Sequence, residues 1–197
     1  MRWTRWTAWA SGLATLTAVI AIASCANRGA GGAMTPEQKL ARGRTIAWTS
    51  GCMDCHTPGS FYGAPDTTRL LAGSELGWKG PWGVSYPRNL TPDNETGIGS
   101  WTEDQIVTAV REGHRPDGTP LLPPMPWPSY AHLSDDDAHA LATYLKSIPA
   151  VPHKVPAVVP PGSEPSGQVI VIPPPPAWDA KNLPPAPAPG APGNNKM

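Results

Sequence analysis

The chain has 197 residues and carries 15 Lys and Arg against 15 Asp and Glu, so its formal net charge is zero. That length suggests one domain plus extras, and the neutral balance offers no basic face of the kind nucleic acid requires. Charged residues make up only 15% of the chain while prolines number 27 and glycines 20, which is too much Pro and Gly for an evenly folded globule and points to long loops or a tail.

The N-terminus reads as a targeting segment. Arg2 and Arg5 supply a positive end, and residues 8–23 are mostly small and apolar. The run Ile22-Ala23-Ser24-Cys25 matches a bacterial lipobox. The match implies cleavage before Cys25, diacylglycerol on its sulfur, and an exported protein anchored to a membrane facing the periplasm. An uncleaved membrane helix would need roughly 20 apolar residues, and this stretch is short for that. Residues 1–24 are therefore expected to be a signal peptide and residues 25–34 a tether that includes lipidated Cys25. The Gly/Ala-rich leash at 26–33 has a reach of roughly 15–20 Å, so the folded part is expected close to the membrane surface.

Three helices are signalled next. Thr35 is a good N-cap, Pro36 occupies the first helical position, and Gln38 completes a capping box. This helix should end near Ser50-Gly51, with Leu40, Gly43, Ala47 and Trp48 on one face. Thr102 and Gln105 form a second capping box, which predicts a helix over 102–112, with Ile106, Ala109 and Val110 as its apolar stripe and Gly113 as its stop. Ser134 caps a third helix to Ser147. Asp135, Asp136 and Asp137 fall in its first turn, where acidic groups suit the helix dipole, and Leu141, Tyr144, Leu145 and Ile148 share a face. Little β-structure is signalled. Residues 151–197 hold fourteen prolines; such a segment packs no core of its own and favours extended structure. It is expected to be a disordered tail, with one apolar patch at 169–172.

Two of the three cysteines fall in Cys52-Met53-Asp54-Cys55-His56. This is C-x-x-C-H, the c-type haem attachment pattern. Two thiols three positions apart can reach the two vinyl groups on one side of a porphyrin and form thioethers, which places the adjacent imidazole beneath the iron. A zinc site would need four ligands, typically with a second Cys or His pair, and the other histidines are scattered. A thioredoxin-like pair would sit in a βαβ pattern, which is absent. A haem also accounts for residues 60–100, an irregular stretch too long for a compact domain unless it wraps something.

Together with the segments Asn89-Leu90-Thr91-Pro92-Asp93, Thr96-Gly97-Ile98-Gly99, Pro124-Met125-Pro126 and Leu141-Ala142-Thr143-Tyr144-Leu145, this motif resembles a bacterial class I cytochrome c, of the kind that occurs alone or as the haem subunit of periplasmic dehydrogenases. The resemblance covers residues 35–150. It implies an all-α fold with about three main helices and long loops around one covalent haem c, the first and last helices crossing near the haem. Gly43 would permit that crossing, with Leu141 and Tyr144 packing there. The proline-rich tail and the lipid anchor depart from the family pattern.

Within this frame His56 is the expected axial ligand and Met125 the opposing one. Met125 lies among Pro123, Pro124, Pro126 and Pro128, whose fixed φ angles restrict the backbone and can hold a thioether in place. Methionine also serves simply as a filler of core gaps, and His114 and His132 are the rival ligands. Arg88, with Trp101, is expected to hold a haem propionate, since a guanidinium pairs bidentately with a carboxylate; the alternative is an exposed arginine. The expected role is one-electron carriage rather than catalysis, between a periplasmic dehydrogenase or respiratory donor and a terminal oxidase or another cytochrome. The competing readings are an enzyme or gas sensor with an open iron site, and a structural lipoprotein whose tail recruits a partner.

Overall fold

The signals at Thr102, Gly113 and Ser134 are realised in the computed structural model, which describes residues 33–173. Helix α1 spans Pro36–Thr49, α2 Cys52–His56, α3 Glu103–Glu112, α4 Trp127–Tyr130 and α5 Asp135–Ser147. The α3 capping box is complete: Thr102 Oγ1 accepts from Gln105 N at 3.1 Å, and Gln105 Oε1 accepts from Thr102 N at 2.9 Å. Gly113 ends the helix at φ 74°, a left-handed conformation that glycine adopts without steric cost. Ser134 Oγ accepts from Asp137 N at 3.2 Å and so starts α5.

The described residues from Pro36 onward form one unit, and its frame is the crossing of α1 and α5. A Cβ placed on Gly43 would lie 1.9 Å from the Ala140 carbonyl oxygen and 2.7 Å from Tyr144 Cβ. Glycine within a helix costs about 1 kcal/mol relative to alanine, but here any side chain would drive the two backbones apart. Arg42 braces the crossing with a two-pronged ion pair to Asp137 at 2.7 and 2.9 Å. The core beneath comprises Ile46, Ala47, Cys52, Met53, Leu71, Ile98, Ile106, Leu141, Ala142 and Leu145. The buried face of α1 is Gly43, Ile46 and Ala47. Leu40 and Trp48, expected on that face, are 36% and 50% exposed: Trp48 lies one helical step off the stripe, and Leu40 sits a turn N-terminal to the closest approach of α5.

The loop between α2 and α3 is tied together by short side chains. Asn89, 1% exposed, accepts from Thr91 N and Oγ1 at 2.9 and 2.7 Å. Asp93 Oδ1 accepts from Thr96 N and Oγ1, both at 2.7 Å. These Asx-type bonds give the backbone partners where no helix or ladder does. Two short 3₁₀ turns, Ser60–Tyr62 and Thr67–Arg69, precede a hairpin of β1 (Gly77–Gly80) and β2 (Gly83–Ser85).

Residues 151–172, expected to be part of a disordered tail, do not leave the domain. Residues 151–172 fold back over the 72–96 loop, and Val169–Val171 adds strand β3 parallel to β1, giving the order β2-β1-β3. Val155 is 5% exposed, and Val84 and Val159 exchange two backbone hydrogen bonds of 2.8 and 3.0 Å. A proline-rich chain builds no core alone, but its intervening valines and carbonyl groups can use the surface of one already built. The expected signal peptide, Cys25 with most of the expected tether, and residues 174–197 lie outside the described residues.

Candidate functional site

Gly51, at φ 73°, turns the chain sharply between α1 and α2. The one and a half turns of α2 then put Cys52 and Cys55 at i and i+3, on one helical face, and end on His56. Both cysteines are free thiols. Burial pushes the Cys52 thiol up to about 11 and raises that of Cys55, with the Asp54 charge adding to both. Each therefore stays protonated until it reacts.

His56 is buried and held from two directions. Its Nδ1 donates to the Arg88 carbonyl oxygen at 2.7 Å, and its own carbonyl accepts from Gly73 N at 2.8 Å. With the proton fixed on Nδ1, the lone pair is on Nε2, the arrangement metal-bound imidazoles use. Burial lowers the His56 pKa, against a smaller opposing effect of the Arg88 hydrogen bond, so the neutral, ligating form is favoured. Leu71, 1% exposed and at φ 59°, is stapled beside this site by Leu71 N to Thr57 Oγ1 at 3.0 Å and Leu90 N to Leu71 O at 2.8 Å.

Met125 lies half-buried in a loop pinned at several points. Ser85 Oγ donates to Pro123 O at 2.5 Å, and Leu121 N donates to Gly113 O at 2.7 Å. The Trp127 ring packs on Gly113, where an added Cβ would fall 2.6 Å from it. Tyr130 OH donates to Ser50 O at 2.6 Å, which joins the segment after Met125 to the residue preceding Gly51 and Cys52. Of the remaining histidines, His139 lies 3.9 Å from Asp104, and His153 donates from Nδ1 to Ala72 O at 2.7 Å.

Arg88 is half-buried, and its Nη1 donates to Pro156 O at 3.0 Å. Among the described residues it forms no ion pair; burial first, then the neighbouring charge of Arg115, lowers its pKa. The role of the Arg88 carbonyl and of Tyr130 was not readable from sequence. A backbone acceptor leaves no trace in residue type, and Tyr130 joins the site through a contact 80 residues distant in sequence.

Two thiols at i and i+3 and a neutral buried imidazole with its Nδ1 engaged form a donor set suited to a covalently attached haem. Such a site on a helical frame defines the class of helical haem proteins with C-x-x-C-H attachment. Residues 40–149, more than half of the chain, match the cytochrome c family. The chain belongs to that family, and with it goes covalently attached haem c. Its relatives include the cytochrome c subunit of the quinone alcohol dehydrogenase of Gluconobacter oxydans (strain 621H), 39% identical over 109 residues, 55% of this chain and 21% of that one. The cytochrome c subunit of gluconate 2-dehydrogenase of Pantoea cypripedii is 40% identical over 106 residues, 54% of this chain and 22% of the relative. A diheme cytochrome c-type protein of Cereibacter sphaeroides is 32% identical over 114 residues, 56% and 36%. The chain thus matches only about a fifth of the length of the first two relatives.

Proposed function

We propose that this protein is an exported, lipid-anchored one-electron carrier. One haem c is attached through Cys52 and Cys55 and ligated by His56 and Met125. The observation that carries the reading is the C-x-x-C-H helix whose His56 ring is buried, neutral and oriented by the Arg88 carbonyl. The haem supplies a single-electron couple at its iron. Each thiol adds its sulfur to one vinyl carbon while its hydrogen goes to the other, so attachment consumes no oxidant. His56 and Met125 would hold the iron between them and leave no ligand position for a substrate, so the haem would supply electron transfer without bond making. The dehydrogenase subunits among the relatives favour a periplasmic dehydrogenase as donor, with a terminal oxidase or another cytochrome as acceptor.

Arg88 completes the site by directing its remaining N–H groups to a haem propionate, a carboxylate that would offset its half-buried charge. Spectroelectrochemical titration of the purified protein should show one haem per chain and a one-electron Nernst curve. Arg88→Gln should lower the midpoint, because removing a nearby cation favours the ferric state. An unchanged midpoint in Arg88→Gln would remove Arg88 from the site, a second haem would overturn the single attachment, and a two-electron curve would overturn the carrier reading. Cys25 carries the anchor in this reading: the membrane-bound protein should incorporate labelled fatty acid and Cys25→Ser should not, and a variant that still incorporates the label would reject lipidation there.

A further inference from the structure

The cytochrome c match ends at residue 149, yet the following segment makes its contacts around His56. Outside its own helix, His56 is bonded by the Arg88 carbonyl at its ring and the Gly73 amide at its backbone. The later segment grips the chain beside both. On the Arg88 side, Pro156 O accepts from Arg88 Nη1 at 3.0 Å and Val151 O accepts from Asn89 Nδ2 at 2.8 Å. On the Gly73 side, His153 Nδ1 donates to Ala72 O at 2.7 Å, and Val155 packs so tightly on Gly73 that an added Cβ would fall 2.5 Å from Val155 Cγ1. His153 N also donates to Thr96 Oγ1 at 3.0 Å.

We infer that residues 151–156 are a strap that positions the axial histidine: Val151, His153, Val155 and Pro156 hold the Arg88 carbonyl and the Gly73 amide at the distances that fix the His56 ring. A hydrogen bond at Nδ1 raises the basicity of an imidazole ligand and sets its ring angle, and hydrogen bonding around an axial ligand is one of the few means a protein has of tuning a haem. Without the strap, the Arg88 and Asn89 side chains would lose Pro156 O and Val151 O, the Ala72 carbonyl would lose His153, and Gly73 would lose the packing of Val155. The inference rests on the proposed haem ligation by His56 and extends it to a segment outside the matched domain.

The test is nuclear magnetic resonance of the ¹⁵N-histidine-labelled ferrous holoprotein, which is diamagnetic with both axial positions filled. The His56 Nδ1–H proton reports the bond directly. In His153→Ala/Val155→Ala, made in the full chain, it should exchange with solvent at least tenfold faster and move upfield, as for a lengthened hydrogen bond. A chain ending at Pro149 should show the same changes, larger; should that chain fail to load haem, the double variant decides. Lys79→Gln, which breaks only an exposed ion pair to Glu164 in the later segment, should match the wild type. If the double variant keeps the wild-type exchange rate and shift while retaining haem, the strap does not position His56. A wild-type chain whose haem is lost on a denaturing gel would instead overturn the attachment reading, which separates the two failures.

Discussion

Replacing Cys52 and Cys55 together by alanine should abolish covalent haem: the wild type keeps its haem stain through denaturing electrophoresis, and the double variant shows none. The two thiols are the only ones among the described residues, and they occupy one face of a five-residue helix. The loss should extend to stability. Cys52 is part of the main core cluster, beside Met53, Leu71 and Leu141. Removal of apolar surface from water is worth about 25 cal/mol per Å², so each ~100 Å² of porphyrin face the loops no longer cover costs about 2.5 kcal/mol. Native proteins are stable by only about 5–15 kcal/mol, so weak retention of haem should leave the double variant largely unfolded by circular dichroism. Cys55→Ala alone keeps the Cys52 thioether and should retain stainable haem at reduced yield. Haem that extracts from the wild type with acid acetone would defeat the attachment assignment.

The legible parts of this fold were those written in local chemistry. Thr102 with Gln105, Gly113, Ser134 and the Pro36 start each act on their own neighbours, so the helix ends could be placed within a residue. Gly43 was readable for a different reason: a glycine in mid-helix has a propensity cost that only close approach of a neighbour offsets, and Ala140 provides it. The C-x-x-C-H motif concentrated most of the site into five consecutive residues. What escaped was non-local. The strap was masked by its composition, because proline content forecasts a chain's inability to build a core and says nothing of whether it can lie on one. Strand β3 is three residues long and pairs with Gly77–Gly80 some 90 residues earlier, and so short a strand has no periodicity to detect. The Arg88 carbonyl and the Tyr130–Ser50 bond depend on tertiary placement alone. Trp48, read as part of the α1 face, shows the limit of hydrophobicity as a guide, since a large apolar side chain on a surface is common.

Met125→Ala should open the sixth coordination position while leaving the haem attached. The wild-type ferric protein should show a weak far-red band from sulfur-to-iron charge transfer, and the ferrous protein should not bind carbon monoxide rapidly. The variant should lose the band, bind carbon monoxide, and show a lower midpoint potential, a fall amounting to a substantial fraction of the roughly 0.8 V range over which axial ligands set haem potentials. The direction follows from the ligand. A neutral thioether favours ferrous iron, and the water or hydroxide that would replace it favours ferric. Thioether sulfur has no proton to lose, so wild-type ligation should hold across ordinary pH, whereas a water-ligated variant should titrate. The loop itself should survive the substitution, because its anchors lie elsewhere: Ser85 to Pro123, Leu121 to Gly113, Trp127 on Gly113, and Tyr130 to Ser50. Met125→His tests the same geometry from the other side and should restore six-coordination at a lower potential than methionine gives. If Met125→Ala retains the wild-type spectrum and potential, the sixth ligand is His114 or His132, and the pinned loop serves to shield the haem rather than to ligate it.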